Sequence, residues 1–217
     1  MKNLLVKELK LSALPLSYFF ILFGAMAMIP GYPILVGAFF VCLGIYQSYQ
    51  SGRENNDILY TVLLPVKKSD AVKAKFAFTC FIELCSFALM FVLTMVRMIW
   101  FADSPVYTQN VLMNANPVFL AWALVIFALF NLIFVNGFFA TAYKIGKPFI
   151  VFIIAAFAVV GIAEALHFIP GNEYLNATDC IADIRLWFIL ATGVVVYVVV
   201  TLFSVKGAIR KFEIIDL

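Results

Sequence analysis

Long apolar runs alternate with short polar segments along the whole chain. An α-helix needs about 20 apolar residues to cross a membrane, and six runs approach or exceed that length. The pattern therefore predicts an all-α, polytopic membrane protein with six transmembrane helices. The predicted spans are residues 14–30, 34–49, 76–100, 117–143, 148–168 and 184–205.

The composition agrees with that pattern. The chain is 65% hydrophobic and 12% charged, whereas soluble domains are about half apolar and a quarter charged. This excludes a water-soluble fold. Six helices and short loops use up all 217 residues, so we expect one transmembrane domain over residues 1–217 and no soluble catalytic domain.

The basic residues predict the orientation of the chain in the membrane. Of its 15 basic residues, 13 lie in four segments that share one predicted face, namely 1–12, 51–75, 144–147 and 206–217. The loops on the other face contain acidic residues and no Lys or Arg. Because basic loops stay on the cytoplasmic side, both termini are predicted to be cytoplasmic. The wide spacing of the basic residues argues against nucleic acid as a partner.

Residues 1–12 alternate leucines with lysines. This pattern is compatible with a short helix that lies in the cytoplasmic interface of the membrane. A basic flank without such a helix is the alternative.

The loop 51–75 has the pattern of a folded segment. Asn56 or Asp57 can cap a helix start, and Pro65 ends the helix. Between them, apolar residues repeat at i,i+4 spacing as the pairs Ile58–Val62 and Leu59–Leu63. We expect an amphipathic helix of about two turns, followed by a second helix from Asp70 that Ser69 caps. The first helix needs lipid or a partner protein to cover its apolar stripe. An ordinary amphipathic surface loop is the alternative.

These residues resemble a known family. Glu54, then Leu63-Leu64-Pro65-Val66-Lys67-Lys68-Ser69-Asp70-Ala71-Val72 and Lys75, are similar to the loop between spans two and three of ABC-2 type permease subunits. They resemble in particular the compact six-span permeases of bacterial peptide and bacteriocin-resistance exporters, such as those for phenol-soluble modulins. Ala74 departs from the glycine that the family often has there.

The resemblance implies a membrane-spanning subunit of an ABC exporter in the bacterial cytoplasmic membrane. Its partners would be a cytosolic ATPase, a second permease chain in a homo- or heterodimer, membrane lipids and an amphipathic or antimicrobial peptide as cargo. Residues 57–64 would form the coupling helix that docks in a groove of the ATPase. The implied docking residues are Glu54, Asp57, Ile58, Leu59, Val62, Leu63, Leu64 and Pro65.

The chain lacks the Gly-x-x-x-x-Gly-Lys-Ser/Thr phosphate loop. We therefore expect no enzymatic activity, no cofactor on this chain, and ATP with Mg²⁺ on the partner subunit. The single histidine and the four cysteines, which show no C-x-x-C spacing, predict no metal site. Cys42, Cys80, Cys85 and Cys180 are interpreted as small core residues.

Four ionisable residues interrupt the apolar runs. Glu83 in the third run is a candidate for the translocation path, with a carboxyl that ties helices together as the alternative. Arg97 is expected to extend to the outer interface. Glu164 and His167 lie one turn apart and are candidates for an outer gate or for pairing with Arg97.

Two other classes of function compete with the exporter. An intramembrane protease is disfavoured because Gly-x-Ser-x-Gly and His-Glu-x-x-His motifs are absent. A membrane immunity, sensor or channel-like protein that works without an ATPase stays open. In that case the helix over 57–64 would be dispensable.

Overall fold

The protein is described from a computed structural model that covers residues 2–141, 143–178 and 181–215. All regular structure in these residues is helical. The helices are α1 (Lys2–Lys7, continued by a π-turn Glu8–Ser12), α2 (Pro15–Phe19, continued by a 3₁₀ segment Phe20–Met28), α3 (Val36–Glu54), α4 (Asp57–Leu63), α5 (Lys68–Trp100), α6 (Pro105–Thr108), α7 (Pro117–Leu129, continued by a π segment Phe130–Val135), α8 (Asn136–Phe138), α9 (Gly146–Leu166), a 3₁₀ turn (Glu173–Asn176) and α10 (Ile184–Glu213).

The structure describes four helices that are long and apolar enough to cross a membrane, or five if a bent pair is one span. The four are Lys68–Trp100, Pro117–Phe138, Gly146–Leu166 and Ile184–Glu213. The bent pair joins Asn3–Ser12 to Pro15–Met28 at 92°. The remaining predicted span corresponds to α3, whose last two turns are polar.

The first predicted span differs from a regular α-helix. Only Pro15–Phe19 is α-helical, and Phe20–Met28 forms a 3₁₀ helix. A 3₁₀ helix rises about 2.0 Å per residue instead of 1.5 Å, so the two pieces together reach roughly 26 Å. This segment packs closely on α3, because a Cβ at Gly44 would lie 2.5 Å from Phe20 Cβ.

The α7 segment lies at the centre of the bundle. In Pro117–Phe138, 72% of the most apolar stretch is buried, against 28% in each of Gly146–Leu166 and Ile184–Glu213. Helix α10 packs directly along α7, where a Cβ at Gly193 would lie 2.9 Å from Ala121 Cα. Small residues permit this close approach of two helices.

Both described ends of the chain lie at the end of the bundle that carries α4. Glu8 is paired with Lys75 at 2.8 Å, and Lys68 Nζ donates to the carbonyl oxygen of Ile215. We call this the α4 end. At the far end, the Tyr107 hydroxyl donates to the Met28 carbonyl oxygen at 3.0 Å.

Several boundaries differ from the sequence predictions. Helix α5 begins at Lys68 rather than Asp70, and its N-cap is Lys67 without a side-chain cap, so the predicted Ser69 cap is wrong. Of the predicted core cysteines, Cys42 is buried whereas Cys80 and Cys85 are only partly buried. Cys180, and residues 216–217 of the predicted tail, lie outside the described residues.

Candidate coupling site

Helix α4 occupies the predicted position in the loop between α3 and α5. Asn56 precedes it in the left-handed region, with φ 52°, a conformation that asparagine tolerates better than most residues. Asn56 joins the end of α3 to the start of α4. Its side chain makes no capping hydrogen bond, contrary to the prediction. Helix α4 ends at Leu63, and Leu64 is extended as expected before Pro65.

One face of α4 is buried and the other is open. Ile58 and Thr61 are buried against the bundle, and Val62 is half-buried. The open face carries large apolar side chains with 39%, 67%, 80% and 51% of their surface exposed, and we call this set the α4 stripe: Leu59, Tyr60, Leu63 and Leu64. Pro65 and Glu54 are also exposed, and Glu54 accepts a hydrogen bond from Gln50 at 3.2 Å.

The α4 stripe borders an open groove. Its walls come from α1, from the segment that connects α4 to α5 and from the first turn of α5. The lining side chains are a mixture of apolar, polar and charged groups: Asn3, Leu4, Lys7, Leu64, Pro65, Val66, Lys67 and Asp70. The stripe and the groove together form a continuous, partly apolar surface at the α4 end.

Four charged side chains hold α4 against α1 and α5. Asp57 pairs with Lys7 through Oδ1 and with Lys75 through Oδ2, the latter at 2.9 Å. Glu8 pairs with Lys75 at 2.8 Å and with Lys7 at 3.1 Å. Two carboxylates thus meet two ammonium groups, and we call these four residues the α4 ion cluster. Lys7 also donates to the Thr61 hydroxyl at 2.7 Å.

The cluster changes the interpretation of Asp57. The sequence placed it among the docking residues, whereas only 14% of its side chain is exposed and both carboxylate oxygens are paired. Burial raises the pKa of the Asp57 carboxyl, but the Lys75 and Lys7 ammonium groups lower it by more, so the pKa lies below its ordinary value. Asp57 therefore anchors α4 and leaves the contact surface to the stripe.

A second polar cluster lies inside the bundle. Glu83 is fully buried, and its Oε2 accepts from the Tyr197 hydroxyl at 2.7 Å and from Asn131 Nδ2 at 3.0 Å. Asn131 Nδ2 also donates to the Thr201 hydroxyl at 3.2 Å. Of the two interpretations of Glu83, this geometry favours the carboxyl that ties helices together.

At the far end, the prediction for Arg97 is wrong. Its side chain is 3% exposed, and it donates to the Ala27 carbonyl oxygen at 2.8 Å and to Asn114 Oδ1. Its guanidinium carbon lies 3.8 Å from the centroid of the Tyr107 ring. The segment between α5 and α7 folds over Arg97 and supplies Asn114 and Tyr107, while the 3₁₀ segment of the first span supplies Ala27. The side chain therefore does not extend to the surface.

Glu164 and His167 do not pair with Arg97. Glu164 Oε2 accepts from the Met113 backbone N–H at 2.8 Å. His167 Nε2 lies 3.1 Å from the Val111 carbonyl oxygen. Both side chains therefore hold the 111–113 segment against the end of α9.

Sequence reasoning missed several residues of these sites. They are Lys7, Glu8 and Tyr60 at the α4 end, Asn131, Tyr197 and Thr201 around Glu83, and Asn114 and Tyr107 around Arg97. The one available signal was an amide inside an apolar run, as at Asn131.

Comparison with known families decides the class of protein. A family model described as "ABC-2 family transporter protein" matches residues 3–213. The chain belongs to the ABC-2 transporter family. Neither the curated proteins nor the solved structures contain a significant match.

Membership of the ABC-2 family establishes the general role of the chain. It is the multi-pass permease component of an ABC transporter, and the family implies a partner ATPase subunit. The loop residues quoted from the sequence run from Leu63, the last residue of α4, through the connecting segment into the first turns of α5.

Proposed function

We propose that this chain is the permease of a bacterial ABC exporter, and that α4 is the coupling helix that docks on a separate cytosolic ATPase. The observation that carries the proposal is the α4 stripe. A seven-residue helix exposes Leu59, Tyr60 and Leu63 together at one end of the bundle. Exposed apolar patches of this kind mark partner surfaces.

The proposed topology has six membrane crossings, with both termini in the cytoplasm. It is supported by six helical segments that run between the α4 end and the far end: α2 with its 3₁₀ segment, α3, α5, α7 with α8, α9 and α10. The 3₁₀ geometry of Phe20–Met28 lengthens the first of them. The basic residues near the α4 end support a cytoplasmic location for that end.

The α4 ion cluster supplies the mechanical connection. An ATPase that moves α4 would displace the Asp57 carboxylate, which both Lys7 and Lys75 hold. Lys7 belongs to α1, and Lys75 lies in the second turn of the long helix α5 that reaches the far end. Motion of α4 would thereby reach the spans.

The resemblance to small peptide exporters supports two further elements of the proposal. A second permease chain, identical or homologous, would pack beside this one so that the two α4 helices engage two ATPases. Amphipathic or antimicrobial peptides would be the cargo. The many exposed apolar side chains of α9 and α10 leave area for lipid, a second chain or such a cargo.

Co-purification tests the docking surface. The chain is purified in mild detergent with an ABC ATPase encoded beside its gene, and ATP hydrolysis is measured with and without the chain. We expect Leu63→Asp to abolish association, because a carboxylate replaces the most exposed side chain of the α4 stripe. Val106→Asp is the matched control, since Val106 is exposed at the far end.

Retention of the complex by Leu63→Asp, or equal loss with Val106→Asp, would contradict the docking proposal. Activity of the chain in cells that lack every candidate ATPase would favour an immunity, sensor or channel-like protein.

A further inference from the structure

The Glu83 cluster is a closed polar site inside the bundle. Glu83 comes from α5, Asn131 from the π segment that continues α7, and Tyr197 and Thr201 from α10. All four side chains are at least nine-tenths buried. Single π-turns within α-helices occur often at functional sites, and this one places the Asn131 amide against the Glu83 carboxyl.

The two carboxyl oxygens of Glu83 differ in their hydrogen bonding. Oε2 accepts both hydrogen bonds, from the Tyr197 hydroxyl and from Asn131 Nδ2. Oε1 is buried and has no hydrogen-bond partner among the described residues, and the same is true of Asn131 Oδ1. A carboxylate accepts at both oxygens, so an ionised Glu83 would leave a buried charged oxygen without a donor. A carboxylic acid has one carbonyl oxygen and one hydroxyl, which matches this asymmetry.

The surroundings also lack a counter-charge. The titratable groups that face Glu83 are Cys80 on its own helix, Cys42 from α3 and Tyr197 from α10. The α7 segment contributes only the neutral Asn131. Among the described residues, no Lys, Arg or His pairs with this carboxyl. A buried charge without a partner is neutralised by taking up a proton.

We propose that Glu83 is a proton-binding site, with the proton on Oε1 at neutral pH while α5, α7 and α10 are packed as in this structure. The acid O–H bond forms with a proton from water. It breaks, and the proton returns to water, when the helices separate and the carboxylate becomes hydrated. The proton site is independent of ATPase docking, so either proposal can fail without the other.

Infrared spectroscopy of the purified full chain in lipid tests the site directly. We expect a neutral carboxylic acid C=O band at pH 7 that is present in the wild type and absent from Glu83→Gln. The amide replacement keeps an acceptor for Tyr197 and Asn131, so the variant should keep its packing. Glu54→Gln is the control, because the Glu54 side chain is exposed at the α4 end rather than buried in the bundle; this change should remove no such band.

A second variant identifies which carboxyl oxygen of Glu83 carries the proton. Tyr197→Phe removes one donor from Oε2, so the same C=O band should move to higher frequency. Spectra recorded in sodium and in choline chloride distinguish a proton from a bound cation. A Glu83-dependent carboxylate band that shifts with sodium, an acid band unaffected by Tyr197→Phe, or no Glu83-dependent acid band at pH 7 would overturn the proposal.

Unfolding gives an independent readout. An unfolded glutamate is ionised at neutral pH, so the folded wild type holds one proton more than the unfolded chain. Its unfolding constant should rise about tenfold relative to Glu83→Gln as the pH increases from 6 to 7. A ratio that stays constant over this range would contradict a bound proton.

Discussion

The ammonium group of Lys75 lies 2.9 Å from Asp57 Oδ2 and joins α4 to the base of α5. The same ammonium is 2.8 Å from Glu8 Oε2, which adds α1 to the junction. Only 8% of the Lys75 side chain is exposed. This paired, buried cation explains how a helix of two turns is held in a fixed position at the surface of the bundle.

The first prediction concerns this junction. Lys75→Met leaves Glu8 and Asp57 with one cation between them, and it should lower the stability of the protein by about 2 to 3 kcal/mol, because a buried charge loses its partner. Thermal denaturation in detergent measures the loss. Lys73→Met is the control: Lys73 is 45% exposed and lies 4.0 Å from Asp70, and such pairs contribute about 0.5 kcal/mol or less. Equal effects of the two changes would argue against a structural role of the cluster.

The second prediction concerns pH. Lys75 and Lys7 lower the pKa of Asp57 in the folded protein. The stabilisation is therefore present above the unfolded pKa of about 3.9 and is lost as the pH falls through the lowered folded value. Hydrogen exchange of residues 57–63 should be slower in the wild type than in Asp57→Asn at pH 6.

The same comparison supplies its own control at low pH. The difference in exchange should shrink once the pH falls below the folded pKa of Asp57, because the wild-type carboxyl is then neutral as well. A difference that persists unchanged in acid would mean that the charge of Asp57 does not hold α4.

The third prediction concerns the contact between α7 and α10. A Cβ at Gly193 would lie 2.9 Å from the backbone Cα of Ala121, so Gly193→Val should force the helices apart and destabilise the protein by about 1 to 3 kcal/mol. Gly161→Val is the control, since nothing lies within 4 Å of a Cβ there. The fraction of folded protein on size-exclusion chromatography after heating measures both. Tolerance of Gly193→Val would contradict this packing.

The fourth prediction concerns Arg97. Arg97→Gln loses the stacking on Tyr107 and the paired donors to Ala27 and Asn114, and it should destabilise the far end by about 2 to 4 kcal/mol. Arg185→Gln alters an exposed arginine and should leave the melting temperature unchanged. If Arg97→Gln melts like the wild type, Arg97 is not buried as described.

The sequence predicted the parts of this fold that depend on local pattern. The i,i+4 spacing of Ile58 with Val62 marked α4, and the apolar runs marked the long helices. The broken first span was not predictable, because its 3₁₀ turn packs against Gly44, which is distant in sequence. A run of apolar residues does not distinguish 3₁₀ from α geometry.

The environments of two charged residues were not predictable for one physical reason. Asp57 was named as a docking residue from the resemblance, and its partner Lys7 precedes it by 50 positions. Arg97 was expected at the outer interface because it lies near the end of its apolar run, and its acceptor at Ala27 comes from another span. In both cases the local sequence shows that a charged residue is present, but it does not show the distant partner that stabilises the charge when the side chain is buried.

Photo-crosslinking at position 60 tests the central claim most directly. Tyr60 is 67% exposed on the α4 stripe, and a photoreactive phenylalanine analogue there changes little else. In membranes that contain the partner ATPase, illumination should give a covalent adduct with the ATPase from position 60 and none from position 106 at the far end. Adducts from position 60 only to lipid, or an equal yield from position 106, would contradict α4 as the coupling helix.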